Sequence, residues 1–256
     1  MQGSHSNTVG LPSNSVEAGF AATQSWRWGM QILVALILLE AAIWSAGLVQ
    51  AVCFWGAVAW IVGTTVLPAR QGVDLGLRMR GARGMLWLLP LSIACAAAAI
   101  LIAWYNGNLH PAFGSGTRPW HYAAYALWAF FQQFTLQSYF FLRLERLLGN
   151  SQRAVLMCAL LFSLLHVPNP FLALTTFLAG LIFCELFRRH RSIYPLGLAH
   201  AVFGLCIAVT FSGDLHHDMR VGRGFFDYPA GRSSLYSLDK QQDYPQPPSP
   251  PAGQQP

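Results

Sequence analysis

Charge is what this sequence has least of. Asp, Glu, Lys and Arg together make 10% of its 256 residues, against about 25% in an ordinary soluble domain. That deficit leaves too little polar surface to cover a water-soluble globule, in keeping with the mean hydropathy of +0.39. Acids are the scarcer sign, 10 against 16 basic residues. The resulting net charge of +6 does not mark a nucleic-acid binder, because the basic residues form short clusters between apolar runs and no single stripe. Nucleic acid is therefore excluded as a partner. Cysteine is sparse as well: Cys53, Cys95, Cys158, Cys184 and Cys206 all lie inside apolar runs, with no Cys-x-x-Cys pair. That excludes a metal knuckle and leaves buried, unpaired thiols. No internal repeat is evident. No apolar core of a secretory signal precedes Arg27, so the first apolar run is expected to direct insertion itself.

What is present is length without charge. Several apolar runs reach the roughly 20 residues that a helix needs to cross about 30 Å of hydrocarbon. The expected fold class is all-α, a polytopic transmembrane helix bundle of about seven spans. The runs are Trp28 to Gln50, Ala51 to Leu67, Met85 to Trp104, Trp120 to Leu142, Ala154 to Val167, Phe171 to Phe187 and Ile193 to Phe211. The first two are nearly continuous and predict a hairpin turning near Gly47 to Gln50. The fifth and sixth are joined by Val167-Pro168-Asn169-Pro170, which cannot stay helical because each proline removes a donor and restrains its predecessor.

Arginine placement predicts the orientation. Arg27, Arg70, Arg78, Arg80, Arg83, Arg143, Arg146, Arg153, Arg188, Arg189 and Arg191 flank alternate ends of the runs, and the short loops opposite hold only Arg118. The positive-inside rule makes the first face cytoplasmic, with the N-terminus inside and the C-terminal tail outside. Four regions follow: a disordered cytoplasmic segment 1–26, N-terminal spans 27–119, a core 120–212, and a polar, proline-rich tail 213–256 whose last residues read as polyproline. The chain is expected to be a multi-pass integral membrane protein, of the plasma (inner) membrane if bacterial, with membrane lipids as its first partners.

Polar side chains deep in such runs are costly and mark sites of function or packing. They are Glu40, Gln132, Gln133, Gln137, His166 and His200. Gln133 and Gln137, four apart, share a helix face, and Gln132 is offset by about 100°. On their own the glutamines suit interhelical hydrogen bonds contributing about 0.6–2 kcal/mol, and an isolated intramembrane histidine is more often a satisfied structural residue than a catalyst. Glu185 lies one turn from Arg188 and Arg189, where pairing suffices to explain it. No partner for Glu40 can be named.

Three stretches carry a resemblance. They are Trp128 to Gln137 (Trp-Ala-Phe-Phe-Gln-Gln-Phe-Thr-Leu-Gln), Leu161 to Pro170 (Leu-Phe-Ser-Leu-Leu-His-Val-Pro-Asn-Pro) and Tyr194 to Gly204 (Tyr-Pro-Leu-Gly-Leu-Ala-His-Ala-Val-Phe-Gly). In order, spacing and context, over about Trp120 to Phe211, they resemble the CPBP family of CAAX-processing and bacteriocin-processing intramembrane endopeptidases, the Rce1-like or Abi group. The family pattern is Glu-Glu-x-x-x-Arg, then Phe-x-x-x-His, then His-x-x-x-Asn or similar. Here Phe162 to His166 keeps the second motif and His200 keeps the start of the third. Gln132 and Gln133 stand at the glutamate positions, Gln137 at the arginine position and Gly204 at the asparagine position.

The resemblance implies a peptide hydrolase acting on a membrane-anchored peptide or protein substrate, with Gln132, Gln133, His166 and His200 as its catalytic residues. A glutamine amide cannot take a proton, so Gln133 could orient a water without activating it. A neutral His166 or His200 could serve as the base, and donors for an oxyanion would remain, each often worth about 3–4 kcal/mol. Neither a cofactor nor a bound metal is expected: two histidines fall short of the three protein ligands of a catalytic zinc, and amide oxygens are poor ligands. The alternative is a catalytically silent relative that binds a peptide, lipid or partner helix. A third reading, a proton or small-molecule pathway around Glu40 and the histidines, lacks the inverted repeat such folds display.

Overall fold

The computed structural model describes residues 13–70, 72–110 and 118–227, with side chains from residue 25 onward and excluding 67–70. Residues 111–117, between the third and fourth apolar runs, and the proline-rich end of the tail lie outside these residues. Among the described residues every regular element is helical. Helix α1 (Ser13–Trp44) begins inside the stretch expected to lack structure. Val16, Glu17, Ala18, Ala21 and Ala22 supply helix formers there, with no interior proline. The helix stops at Trp44, and α2 (Gly47–Arg70) starts after two intervening residues, slightly earlier than the turn predicted. Gly47 has φ +60°, a left-handed conformation that favours glycine.

A 3₁₀ segment, Met79–Met85, leads to α3 (Leu88–Tyr105). Next, α4 (Pro119–Gln133) opens with proline in its first turn and runs into a π-helical segment, Phe134–Phe141. Helix α5 (Leu142–Leu148) continues it to Gly149, whose φ of +58° ends the helix. Asn150 then caps α6 (Ser151–Leu164), its side chain accepting from the Gln152 and Arg153 amides. After α7 (Pro170–His190) and α8 (Tyr194–Thr210) come two single turns, α9 (Gly213–His216) and α10 (Arg223–Phe226).

All seven apolar runs are helical, yet among the described residues only α3, α7 and the segments Ser25–Trp44 and Gly47–Val66 are long and apolar enough to cross a bilayer. Helix α6 has 14 residues and α8 has 17, the former about 21 Å of helix at 1.5 Å per residue. Helix α6 packs on α7, α1 on α2, and α3 and α4 on α8.

One arginine of the set expected to flank the spans on the cytoplasmic face proves to be interior. Arg143 is buried, and its Nε donates to Gln31 Oε1 at 2.8 Å, Nη1 to the Tyr139 carbonyl at 3.0 Å and Nη2 to the Thr64 carbonyl at 3.1 Å. Its guanidinium lies 3.7 Å from the centre of the Tyr139 ring. Arg143 thus ties α1, α2 and α5 together, a role that its place among flanking arginines did not reveal. Glu185 pairs with Arg188 and Arg189 as expected, at 2.7 and 2.5 Å.

The proline linker does more than interrupt a helix. Asn169 is fully buried and caps α7 by accepting from the Leu172 amide. Its Nδ2 donates to the His216 and Arg220 carbonyls at 2.8 and 3.0 Å. The Gly222 amide donates to the Val167 carbonyl at 3.0 Å, so residues 212–222 form a strap across the linker. Burial pushes the His216 imidazole below its ordinary pKa. The unfolded chain therefore takes up protons first, and acidification through and below that ordinary value weakens the strap. Asn169→Ala removes a cap and leaves two carbonyls without a donor, at an expected cost of about 2–3 kcal/mol. Faster hydrogen exchange at the Gly222 amide, with α3 unaffected, is the expected readout.

Candidate active site

Helices α1, α2, α4, α6, α7 and α8, the π-helical segment and the strap line a cavity of about 510 Å³. Its wall is largely apolar, and Met219 and Val221 of the strap contribute to it. Gln132, His166 and His200 all line this space. The intervening Phe162 ring has its centroid 4.9 Å from that of His166 and 6.0 Å from that of His200. The sequence motifs thus converge.

Each polar side chain is held in a definite way. His166 closes α6, and its Nδ1 lies 2.6 Å from the Phe162 carbonyl, one turn back. A carbonyl oxygen only accepts, so Nδ1 carries the proton and Nε2 keeps its lone pair. His200 Nδ1 lies 3.0 Å from Gln133 Nε2, and Gln137 Nε2 donates to Gln133 Oε1 at 3.2 Å. Gln133 and Gln137 are fully buried. Gln133 therefore reaches the site through His200, while Gln132 faces the cavity directly.

The contact between Gln133 and Gln137 follows from their four-residue spacing, but the local geometry does not. Their helix widens to π immediately after Gln133, a distortion common at functional sites. No residue in Phe134–Phe141 announces it. Residues 135–141 are all buried, which packs this segment as the hub of the core.

Glu40 finds its partner one turn along its own helix, where Trp44 Nε1 donates to Oε2 at 3.0 Å. The Trp44 ring lies 6.1 Å from that of Phe226 in the closing turn. The residues of α1 that line the cavity are Leu39, Ala42 and Ile43, so Glu40 is turned aside from the histidines.

Tyr125 was not foreseen. It lines the cavity, and its hydroxyl takes the place a side chain at position 204 would need: a Cβ on Gly204 would lie 1.8 Å from Tyr125 Oη. The signal in the sequence was the glycine one turn after His200, which left a space that sequence alone could not fill. Gly204→Ala is expected to cost about 1–3 kcal/mol by overpacking, seen in thermal unfolding. Tyr125→Phe in the same chain should recover part of that loss, because the oxygen is the nearest clash.

Residues 114–206 match the family model for type II CAAX prenyl endopeptidase Rce1-like proteins. Over that stretch the chain is similar to the Rce1-like family. The match includes Gln132, His166, His200 and Gly204, which line the cavity, and Gln133 and Gln137, which stand behind His200. No curated protein and no solved structure matches the chain. The match supports a fold like that of CAAX-type intramembrane proteases over residues 114–206, and the apolar helices agree with a membrane protein.

Proposed function

We propose that the protein is an intramembrane endopeptidase that hydrolyses a peptide bond of a membrane-anchored or lipidated substrate. The observation that carries this reading is the 2.6 Å contact from His166 Nδ1 to the Phe162 carbonyl. It holds the ring in the tautomer whose Nε2 can accept a proton, inside an apolar chamber large enough for a chain segment.

In the proposed reaction a water within reach of His166 gives up a proton to Nε2, and its oxygen attacks the scissile carbonyl carbon. The carbonyl oxygen gains the negative charge and accepts hydrogen bonds from Gln132 Nε2 and His200. The imidazolium of His166 then passes its proton to the leaving nitrogen, the C–N bond breaks to give a carboxylic acid and an amine, and the acid's remaining proton passes to the amine, leaving a carboxylate and an ammonium. Gln132 and Gln133 supply dipoles where a carboxylate would supply a base. This site is expected to be slower than one with an acid at position 133.

The apolar lining suits the lipid chain of a prenylated cysteine, in keeping with a family described as CAAX prenyl endopeptidases. The substrate-free bundle is proposed to reside in the plasma (inner) membrane if the source is bacterial. A second reading rests on the glutamines at 132 and 133: a silent relative that binds a lipidated peptide in the same cavity without cleaving it. The test is to reconstitute the full chain in vesicles with peptides bearing a prenylated cysteine near the C-terminus and to follow cleavage by mass. Saturable binding without product would favour the silent relative.

A further inference from the structure

We propose that Gln137 acts as a positioning residue that fixes the tautomer of His200, making its cavity edge a proton donor and not a base. The inference uses the proposed hydrolysis only to say what the donor serves. Two orientations of the amide pair are possible. In one, Gln137 Nε2 donates to Gln133 Oε1 and Gln133 Nε2 donates to His200 Nδ1, over 3.2 and 3.0 Å. In the other both amides are flipped, Gln133 Nε2 donates to Gln137 Oε1, and His200 Nδ1–H donates to Gln133 Oε1.

Both arrangements make two bonds, so the leftover group decides between them. The first leaves Gln137 Oε1 as a buried acceptor without a partner; the second would leave the Gln137 NH₂ group buried without one. An orphaned buried N–H is rarer than an under-satisfied carbonyl, and the amide group carries two such hydrogens. The first orientation prevails, and Gln133 is locked with its nitrogen toward His200.

With Nδ1 accepting, the neutral His200 ring carries its proton on Nε2. His166 is set the opposite way by the Phe162 carbonyl, with Nδ1 protonated and Nε2 free. Two histidines of the same type thereby take different roles, acceptor at 166 and donor at 200, because one bonds a carbonyl and the other an amide nitrogen. Gln137 does not touch substrate. It acts through Gln133.

The relay has a direct spectroscopic signature, since only the first orientation places one nitrogen against another through a hydrogen. The full chain, labelled with ¹⁵N in His and Gln and held in detergent micelles, should show an N–N coupling across the Gln133 Nε2–H to His200 Nδ1 bond. Long-range proton–nitrogen correlation should show His200 protonated at Nε2, with signals assigned by their disappearance in His200→Gln. Gln137→Met, close in size but unable to donate, should abolish the coupling and shift His200 to a tautomer mixture. An Nδ1–H ring in the wild type would overturn the relay. Full retention of the coupling in Gln137→Met would overturn the role of Gln137. Should that variant fail to fold, the wild-type spectrum still decides the direction of the relay. No substrate is present, so an inactive protein with an Nε2–H His200 would refute hydrolysis and leave the relay standing.

Discussion

Replacing His166 with alanine should lower turnover of a prenylated peptide by about 100- to 10,000-fold, the usual contribution of a positioned general base. The size follows from the site's composition. Gln132 and Gln133 take up no proton, and Glu40 is turned toward Trp44, so His166 has no carboxylate to share its task. His200→Ala should cost less, about the 3–4 kcal/mol of one oxyanion donor, and should leave His166 able to activate water. Rates for the two variants, with insertion and folding checked independently, separate these roles. Equal losses would mean that the histidines act as one unit. Glu40→Gln is the companion control: a large loss there would show that α1 turns its carboxylate into the site when substrate binds.

Gln133→Glu should raise turnover by about 100-fold or more, the lower range for a correctly placed acid–base group. On sequence grounds alone a companion Gln137→Arg would be needed, because a lone carboxyl in an apolar cavity protonates and loses its use. The structure supplies donors already: Gln137 Nε2 lies 3.2 Å and His200 Nδ1 3.0 Å from the present Gln133 amide atoms. A carboxylate there would accept from both, turning Nδ1 of His200 into the protonated nitrogen and freeing Nε2 as a second base. The single change should therefore suffice. No gain from an inserted, folded Gln133→Glu chain, alone or with Gln137→Arg, would count against a hydrolytic site.

The polar groups themselves were legible in the sequence, because polarity inside an apolar run is costly enough to be informative. The four-residue spacing of Gln133 and Gln137 placed them on one helix face, and Pro168 and Pro170 predicted the break between α6 and α7. What could not be read was anything set by packing between distant segments. Arg143 looked like a flanking charge, since its acceptors on α1 and α2 are 112 and 79 residues away. Tyr125 looked like any aromatic at a membrane helix, since only the fold brings its hydroxyl against Gly204. The division of labour between His166 and His200 depends on which atom faces each Nδ1, and no motif encodes that. The same holds for the π-helical turn and for the strap held by Asn169.

Cleavage of a prenylated peptide in ¹⁸O-enriched water, by the full chain in vesicles, tests the central claim most directly, because water attack leaves its oxygen in the new carboxylate. One ¹⁸O per product is expected from the wild type, more product from Gln133→Glu, and none above background from His166→Ala. An inserted, folded wild-type chain that binds the peptides yet yields no labelled product, under conditions where an active member of the family does, would contradict it.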